Sequence, residues 1–448
     1  MEAVQISFTH LLLALIGSIA VIILLTAKYK LHAFYALLIA CFVVGISVGM
    51  PVDRILDHAK SGFGHVMKSL AFLIVLGTAL GVLLERSGST HVMADWILKR
   101  TGEKKSPIAM AITGFVVGLP IFCDSGYIVL SGLANSLAKR TGISVAILAG
   151  ALATGLYSVH CLIPPHPGMS AAGAQLNVDF GRLIAVGILV AIPSSVAGYL
   201  WTSFAGKRWE AKTAPSEHQT EEVRPFGKPG VIMAFAPVII PIVLIALKPF
   251  LTNQTDAQTL ITAFISVVGE PSIALTTGIL LTLFNFRSKE DKKRITGSLS
   301  DAAEKAGGIL VIIGAGGAFG AILAATNPGA HFSSIAAGGS LGLFFPFLVT
   351  FVLKTAQGSS TVAIITAASL TYPLLPALQL DGENGALLAA LSMGAGSMMI
   401  SHANDAYFWV IARFSGLEMN TMLRVYTVAS VVMGLTALLG VYALSFVL

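Results

Sequence analysis

Residues 118–126 read Gly-Leu-Pro-Ile-Phe-Cys-Asp-Ser-Gly. Two glycines and a proline in so short a stretch break a helix, because proline lacks the backbone N–H and glycine loses the most conformational freedom on ordering. Apolar sequence runs away from the break in both directions, and each run ends in basic residues: Lys104 and Lys105 before it, Lys139 and Arg140 after it. Basic clusters mark the cytoplasmic side of a membrane segment. Both ends of residues 106–138 therefore lie on one side, and the middle turns back within the bilayer. The stretch is read as a re-entrant helical hairpin. Non-helical backbone at membrane depth is tolerated only where protein buries it or a cavity receives it, so this tip is a candidate functional site.

The composition outside the hairpin agrees. Of 448 residues, 55% are hydrophobic and 11% charged, against roughly 25% charged in soluble domains; mean hydropathy is +0.83. Residues 183–206, 306–353 and 425–448 contain no Asp, Glu, Lys or Arg, and a helix of about 20 apolar residues spans a bilayer. A water-soluble fold is excluded, and strands of a membrane barrel would alternate polar and apolar residues. The net charge of +6 is spread over loops, which speaks for membrane lipid and against a nucleic-acid partner. Cys41, Cys123 and Cys161 follow no zinc or redox spacing and are read as packing residues; neither a metal nor a cofactor is expected. Gly314, Gly316, Gly317 and Gly320 are read as close helix packing, since no GxxxxGK[ST] cradle surrounds them. The first apolar run lacks a basic leader, so residues 11–27 are read as a retained helix.

Clusters at Lys28/Lys30, Lys99–Lys105, Lys139/Arg140, Lys207–Lys228 and Arg287–Lys305 are placed in the cytoplasm, which puts both termini outside. The reading gives an all-α polytopic protein with about ten transmembrane helices, at 8–27, 31–49, 69–86, 143–163, 181–204, 230–250, 259–286, 307–325, 385–402 and 421–447. A second hairpin, residues 336–372, breaks at Lys354-Thr-Ala-Gln-Gly358-Ser359-Ser360-Thr361. The polar stretch 207–229 is a cytoplasmic linker between an N-terminal repeat (1–206) and a C-terminal one (230–448). Gly77-Thr-Ala-Leu-Gly81 resembles Gly316-Gly-Ala-Phe-Gly320, Asp124-Ser125-Gly126 falls against Gly358-Ser359-Ser360, and Ser158-Val-His160 against Ser401-His402. An odd number of crossings per half makes the repeats inverted, a plan frequent in secondary transporters.

The helices that follow Asp124 and Gly358 start near the midplane. Each offers free N–H groups and a partial positive charge to an anion, and Ser125, Ser359, Ser360 and Thr361 add hydroxyls suited to a polyhydroxylated molecule. Asp124 is either a helix N-cap or a proton carrier. Breaks at Gly155–Gly168 and Gly396–Tyr407 hold His160, His402, Asn404 and Asp405, of which the histidines and Asp405 are further proton-coupling candidates. His166 is placed toward the outer surface. Lys354 either meets a substrate carboxylate or pairs with Asp124 or Asp405. A membrane-embedded enzyme using Asp124, His160 and His402 as acid–base or metal-ligand residues is the different-class alternative; the lack of an HExxH motif or a dense acidic–histidine cluster speaks against it.

At Gly118–Leu130, Gly155–Gly168, Lys354–Ala363 and Ser401–Trp409 the chain resembles the gluconate:proton symporter family of bacterial permeases, and the likeness covers essentially its whole length. The motifs GLPIFCDSGY and SHANDAYFWV carry it. The resemblance implies an inner-membrane symporter for gluconate or a related sugar acid or small hydroxy acid, driven by the proton gradient; family members also carry D-serine. Sodium coupling or antiport on the same scaffold is the alternative. It further implies, through a wider ion-transporter group, elevator-type alternating access in a homodimer. On this analogy Asp124, Ser125, Gly126, Lys354, Gly358, Ser359, Ser360, Thr361, Asn404 and Asp405 surround the substrate.

Overall fold

In a computed structural model of the chain, residues 8–209, 228–252, 260–286, 289–326, 342–402 and 405–448 are described, and the regular structure among them is helical. The first half contains α1 (Phe8–Ile23), α2 (Ala33–Ser47), α3 (Val52–Arg86), α4 (Ser89–Thr101), α5 (Ser106–Gly118), α6 (Cys123–Thr141), α7 (Val145–Leu162), α8 (Pro167–Gln175) and α9 (Phe180–Arg208). The second contains α10 (Val231–Thr252), α11 (Leu260–Val268), α12 (Pro271–Leu283), α13 (Lys289–Ala325), α14 (Phe344–Gln357), α15 (Ser360–Thr371), α16 (Glu383–Met398), α17 (Ala406–Ser415), α18 (Met419–Met422) and α19 (Val428–Leu444).

Six helical stretches among the described residues are long and apolar enough to cross a membrane, fewer than the sequence predicts. The difference has local causes. The 259–286 crossing is cut at Gly269-Glu270-Pro271. There the Glu270 carboxylate accepts from the N–H of Ser272 (2.8 Å) and Ile273 (3.1 Å), capping α12, and Pro271 takes its first position. In the other direction, the 69–86 and 307–325 crossings are only the apolar ends of α3 and α13, which run to 35 and 37 residues. The polar stretch before residue 69 stays helical because Ile55, Ala59, Gly62 and Val66 keep a buried stripe at helical spacing.

Those two long helices pack on each other. A Cβ at Gly62 would stand 2.3 Å from the Gly317 carbonyl oxygen, and one at Gly317 would stand 2.5 Å from Val66 Cγ2. Gly314 lies as tightly on Phe63, Gly316 on Ile365, and Gly320 on Gln175 and Ser369, which bears out the packing role predicted for these glycines. Gly62→Val is expected to overpack this crossing at a cost of about 1–3 kcal/mol. The thermal unfolding midpoint of purified protein measures it.

The hairpins are held differently. In the first, α5 lies against α7 so closely that a Cβ at Gly155 would be 2.3 Å from the Ala111 carbonyl oxygen. Its tip is the non-helical stretch 119–122, and α6 ends at Gly142 (φ +71°) with Lys139 and Arg140 in its last turn. The second hairpin turns at Gly358, whose φ of +81° ends α14. The Ser359 hydroxyl then caps α15 by accepting from Val362 N at 3.3 Å. Between the hairpins runs α7, buried from Ala146 to Leu162 at every position except His160.

Candidate functional site

A cavity of about 440 Å³ lies where these pieces meet, within the size range of small-molecule sites. Four helices begin at its wall: α6 with Cys123 and Asp124, α8 with Pro167, α15 with Ser360 and Thr361, and α17 with Ala406 and Tyr407. The first turn of a helix has N–H groups without intrahelical partners and carries the positive end of the helix dipole. Tyr157 and His160 of α7, Ile309 and Ile312 of α13, and Phe122, Gly358, Ser359, Val362 and Asp405 complete the lining. The lining combines the positive backbone ends of helices and hydroxyls with two isoleucines, and an anionic ligand that bears hydroxyls would fit it.

Asp124 lines the cavity but is not the helix cap. α6 begins one residue earlier, at Cys123, with Phe122 at the cap position and no side-chain capping bond. Among the described residues its carboxylate is contacted by Cys123 Sγ at 3.9 Å, a weak interaction that leaves acceptor capacity toward the cavity. Asp405 is the opposite case. One oxygen accepts from Lys354 Nζ at 2.6 Å and from the Ser401 hydroxyl, and the other accepts from Tyr407 N at 3.0 Å, capping α17.

Of the alternatives predicted for Lys354, the structure takes the pair with Asp405. The side chain is fully buried (0% exposed), its Nζ also donates to the Gly358 carbonyl at 2.8 Å, and it does not line the cavity. Nor do Ser125, Gly126 and His402. Ser125 faces a second, small pocket against α3 and α13, with Thr78, Glu85 and Lys305. At Gly126 a Cβ would stand 2.8 Å from Leu156 Cδ2, so this glycine serves the packing of α6 on α7. The His402 carbonyl accepts from Asp405 N at 2.8 Å within the break. Asn404 lies outside the described residues.

The histidines are linked. His160 Nε2 lies 3.5 Å from Thr361 Oγ1 on the second tip, and its ring meets that of His166 edge-on at 5.0 Å. His166, which the sequence places toward the outer surface, is 1% exposed and so lies inside the protein. Its Nε2 lies 2.8 Å from the Gly118 carbonyl oxygen at the end of α5.

Sequence reasoning missed several wall residues. Tyr157 bonds Ser360 Oγ at 2.8 Å, donates to the Ser397 carbonyl at 3.1 Å and stacks on Tyr407 at 5.6 Å. Among the other residues of α7 nothing in the sequence singles it out. Cys123, read as packing, is buried and also lines the cavity. Pro167 had a signal in the proline cluster; Ile309 and Ile312 had none.

These elements define a polytopic helical membrane protein whose broken helices enclose an anion-suited cavity, the plan of a secondary transporter. The model of the GntP family permeases matches residues 9–447, and the chain belongs to this family. It is 31% identical over 449 residues to a gluconate permease of Pseudomonas aeruginosa, covering 98% of both chains. Identity is 28% to the low-affinity gluconate transporter of Escherichia coli K12 (97% of this chain, 98% of the relative), and 31% to the D-serine transporter DsdX of Escherichia coli O6:H1 over the same shares. Among solved structures, the YdaH transporter of Alcanivorax borkumensis shares the fold at a TM-score of 0.63 with 14% identity, over 88% of this chain and 90% of that one. MtrF of Neisseria gonorrhoeae does so at 0.59 with 16% identity, over 89% and 85%.

Proposed function

We propose that the chain carries gluconate or a related sugar acid across the bacterial inner membrane by proton symport, without itself catalysing a reaction. The observation that carries this reading is the convergence of four helix starts on one cavity that holds more carboxylate than ammonium. Asp124 and Asp405 face it, and the buried ammonium beside it among the described residues, Lys354, is already paired with Asp405. An entering anion adds to an uncompensated negative charge in a medium where burying charge is expensive. A proton taken up with the anion offsets it, and Asp124, with the weakest existing bonds, is its proposed carrier; Asp405, His160 and His402 are the remaining candidates. Uptake of labelled gluconate into proteoliposomes, with proton and sodium gradients imposed separately, tests the reading. Accumulation under an inward proton gradient alone is expected; accumulation that needs sodium, or none at all, overturns it.

The substrate is proposed to lie between the tips, against Asp124, Gly358, Ser359, Ser360, Thr361 and Asp405. Ser360→Ala removes a hydroxyl at the cavity, and a hydrogen bond to a charged group is worth about 1.5–3 kcal/mol, or roughly 10- to 150-fold in affinity. Ser125→Ala, on the far side of the tip, is expected to leave gluconate affinity unchanged. Calorimetry on the two purified variants separates them. D-serine is a second candidate substrate, favoured by the relation to a D-serine transporter; competition against gluconate binding decides it.

The proposal includes about ten crossings and two hairpins in inverted repeats joined by residues 207–229. Its support is the matching order of elements, with α3, α5/α6 and the α7–α8 break recurring as α13, α14/α15 and the α16–α17 break. It also includes elevator-type alternating access in a homodimer, by analogy with the wider transporter group. Both termini are proposed outside. A cysteine replacing Asp53 is then expected to react with an impermeant thiol reagent added to intact cells, and one replacing Lys207 is not. The native cysteines are buried, and the reverse labelling pattern would reject the orientation.

A further inference from the structure

Lys354 closes the last turn of α14, four positions before the glycine that ends it. Its ammonium, with no exposed surface, is held by the Gly358 carbonyl at 2.8 Å and by Asp405 Oδ2 at 2.6 Å. The Ser401 hydroxyl bonds the same carboxylate oxygen, and the Tyr157 ring lies 5.9 Å from Nζ. A carbonyl at a helix C-terminus, a carboxylate and a nearby hydroxyl, gathered where two helices break, are the oxygen donors that hold a small hard cation. Here an ammonium on a four-carbon stem occupies that position. In the first hairpin the carbonyl of Gly118, at the end of α5, is likewise met by a side-chain nitrogen, His166 Nε2 at 2.8 Å.

We infer that Lys354 is a tethered resident cation filling an oxygen cage between the second hairpin tip and the α16–α17 break, and that this tether makes the carrier independent of free sodium. The inference deepens the proton-symport reading and rests on it for its consequence, whereas the cage itself is testable without any substrate. Shortening the side chain to alanine vacates the position while leaving Asp405 in place. A free monovalent cation is then expected to bind there and to stabilise the fold by mass action.

The test is the thermal unfolding of purified full-length protein without substrate, in choline chloride, sodium chloride and ethylammonium chloride at equal ionic strength. Wild-type protein is expected to melt at the same temperature in all three. Lys354→Ala is expected to melt lower in choline and to be raised by about 5 °C by sodium or ethylammonium. Lys354→Met, which fills the volume with an uncharged chain, is expected to show no such rise. Gluconate binding by Lys354→Ala is expected to strengthen at least about tenfold with the same cation. Folded Lys354→Ala that melts identically in every salt overturns the inference, as does a wild-type protein that sodium stabilises specifically. If Lys354→Ala is recovered only when sodium or ethylammonium is present throughout purification, the inference is supported. Loss in every salt, with Lys354→Ala/Asp405→Asn recovered, overturns it. Failure of the wild type to bind gluconate would reject the substrate reading and leave the cation result standing.

Discussion

In Asp124→Asn protein, uphill uptake of gluconate is expected to fail while exchange of labelled for unlabelled gluconate across the membrane continues. The substitution preserves size and polarity and removes only the titratable charge. Asp124 does not cap α6, so no helix-start bond is lost with the carboxylate. Its side chain faces the cavity with Cys123 Sγ as its contact among the described residues, so the change is confined to the charge. A carrier that no longer binds the proton still moves substrate down its gradient but cannot draw on the proton gradient, which supplies about 1.4 kcal/mol for each tenfold ratio. Counterflow and accumulation assays on the same proteoliposomes separate the two activities. Proton-driven accumulation at wild-type level in this variant would sink the assignment of Asp124 and move it to Asp405 or His160.

Asp405→Ala is expected to destabilise the protein by about 3–5 kcal/mol, the usual cost of leaving one member of a buried ion pair without its partner. The estimate applies because both side chains are buried, Lys354 at 0% and Asp405 at 7% exposure. The loss also removes the cap of α17. Replacing both partners by apolar residues of similar volume, Lys354→Met with Asp405→Leu, is expected to recover most of the stability, since such pairs are often neutral against a well-packed apolar substitute. Transport is not expected to return with it. Chemical unfolding of the single and double variants, alongside uptake, distinguishes the pair's structural contribution from its role at the cavity.

The hairpin breaks were legible in the sequence because their signals are local. Gly118, Pro120 and Gly126 fall within nine residues, and Gly358 opens the run Gly358-Ser-Ser-Thr, so each break is marked by neighbouring residues that favour a helix end. What depended on rotation about a helix axis was not legible. Asp124 and Ser125 are neighbours in sequence, yet a step of one residue turns a helical side chain by about 100°. The first lines the main cavity and the second faces α3 and α13. The partner of Lys354 was narrowed to two acids by chemistry, and only the fold brings Asp405 to it across residues distant in sequence. Tyr157 was hidden for another reason: a helix buried on all faces has no apolar stripe against which one polar tip stands out.

The four helix starts at the cavity have a consequence for how such a protein diversifies. An anion held by main-chain N–H groups would be held by atoms that every residue except proline supplies. On the proposed reading, discrimination among anions would then fall to lining side chains such as Ile309 and Ile312 on α13 and Tyr157 on α7. Capture of a carboxylate and choice of what is attached to it would thus reside in separable parts of the molecule. New cargo would then become accessible by exchanging a handful of wall residues while the helix starts stay as they are.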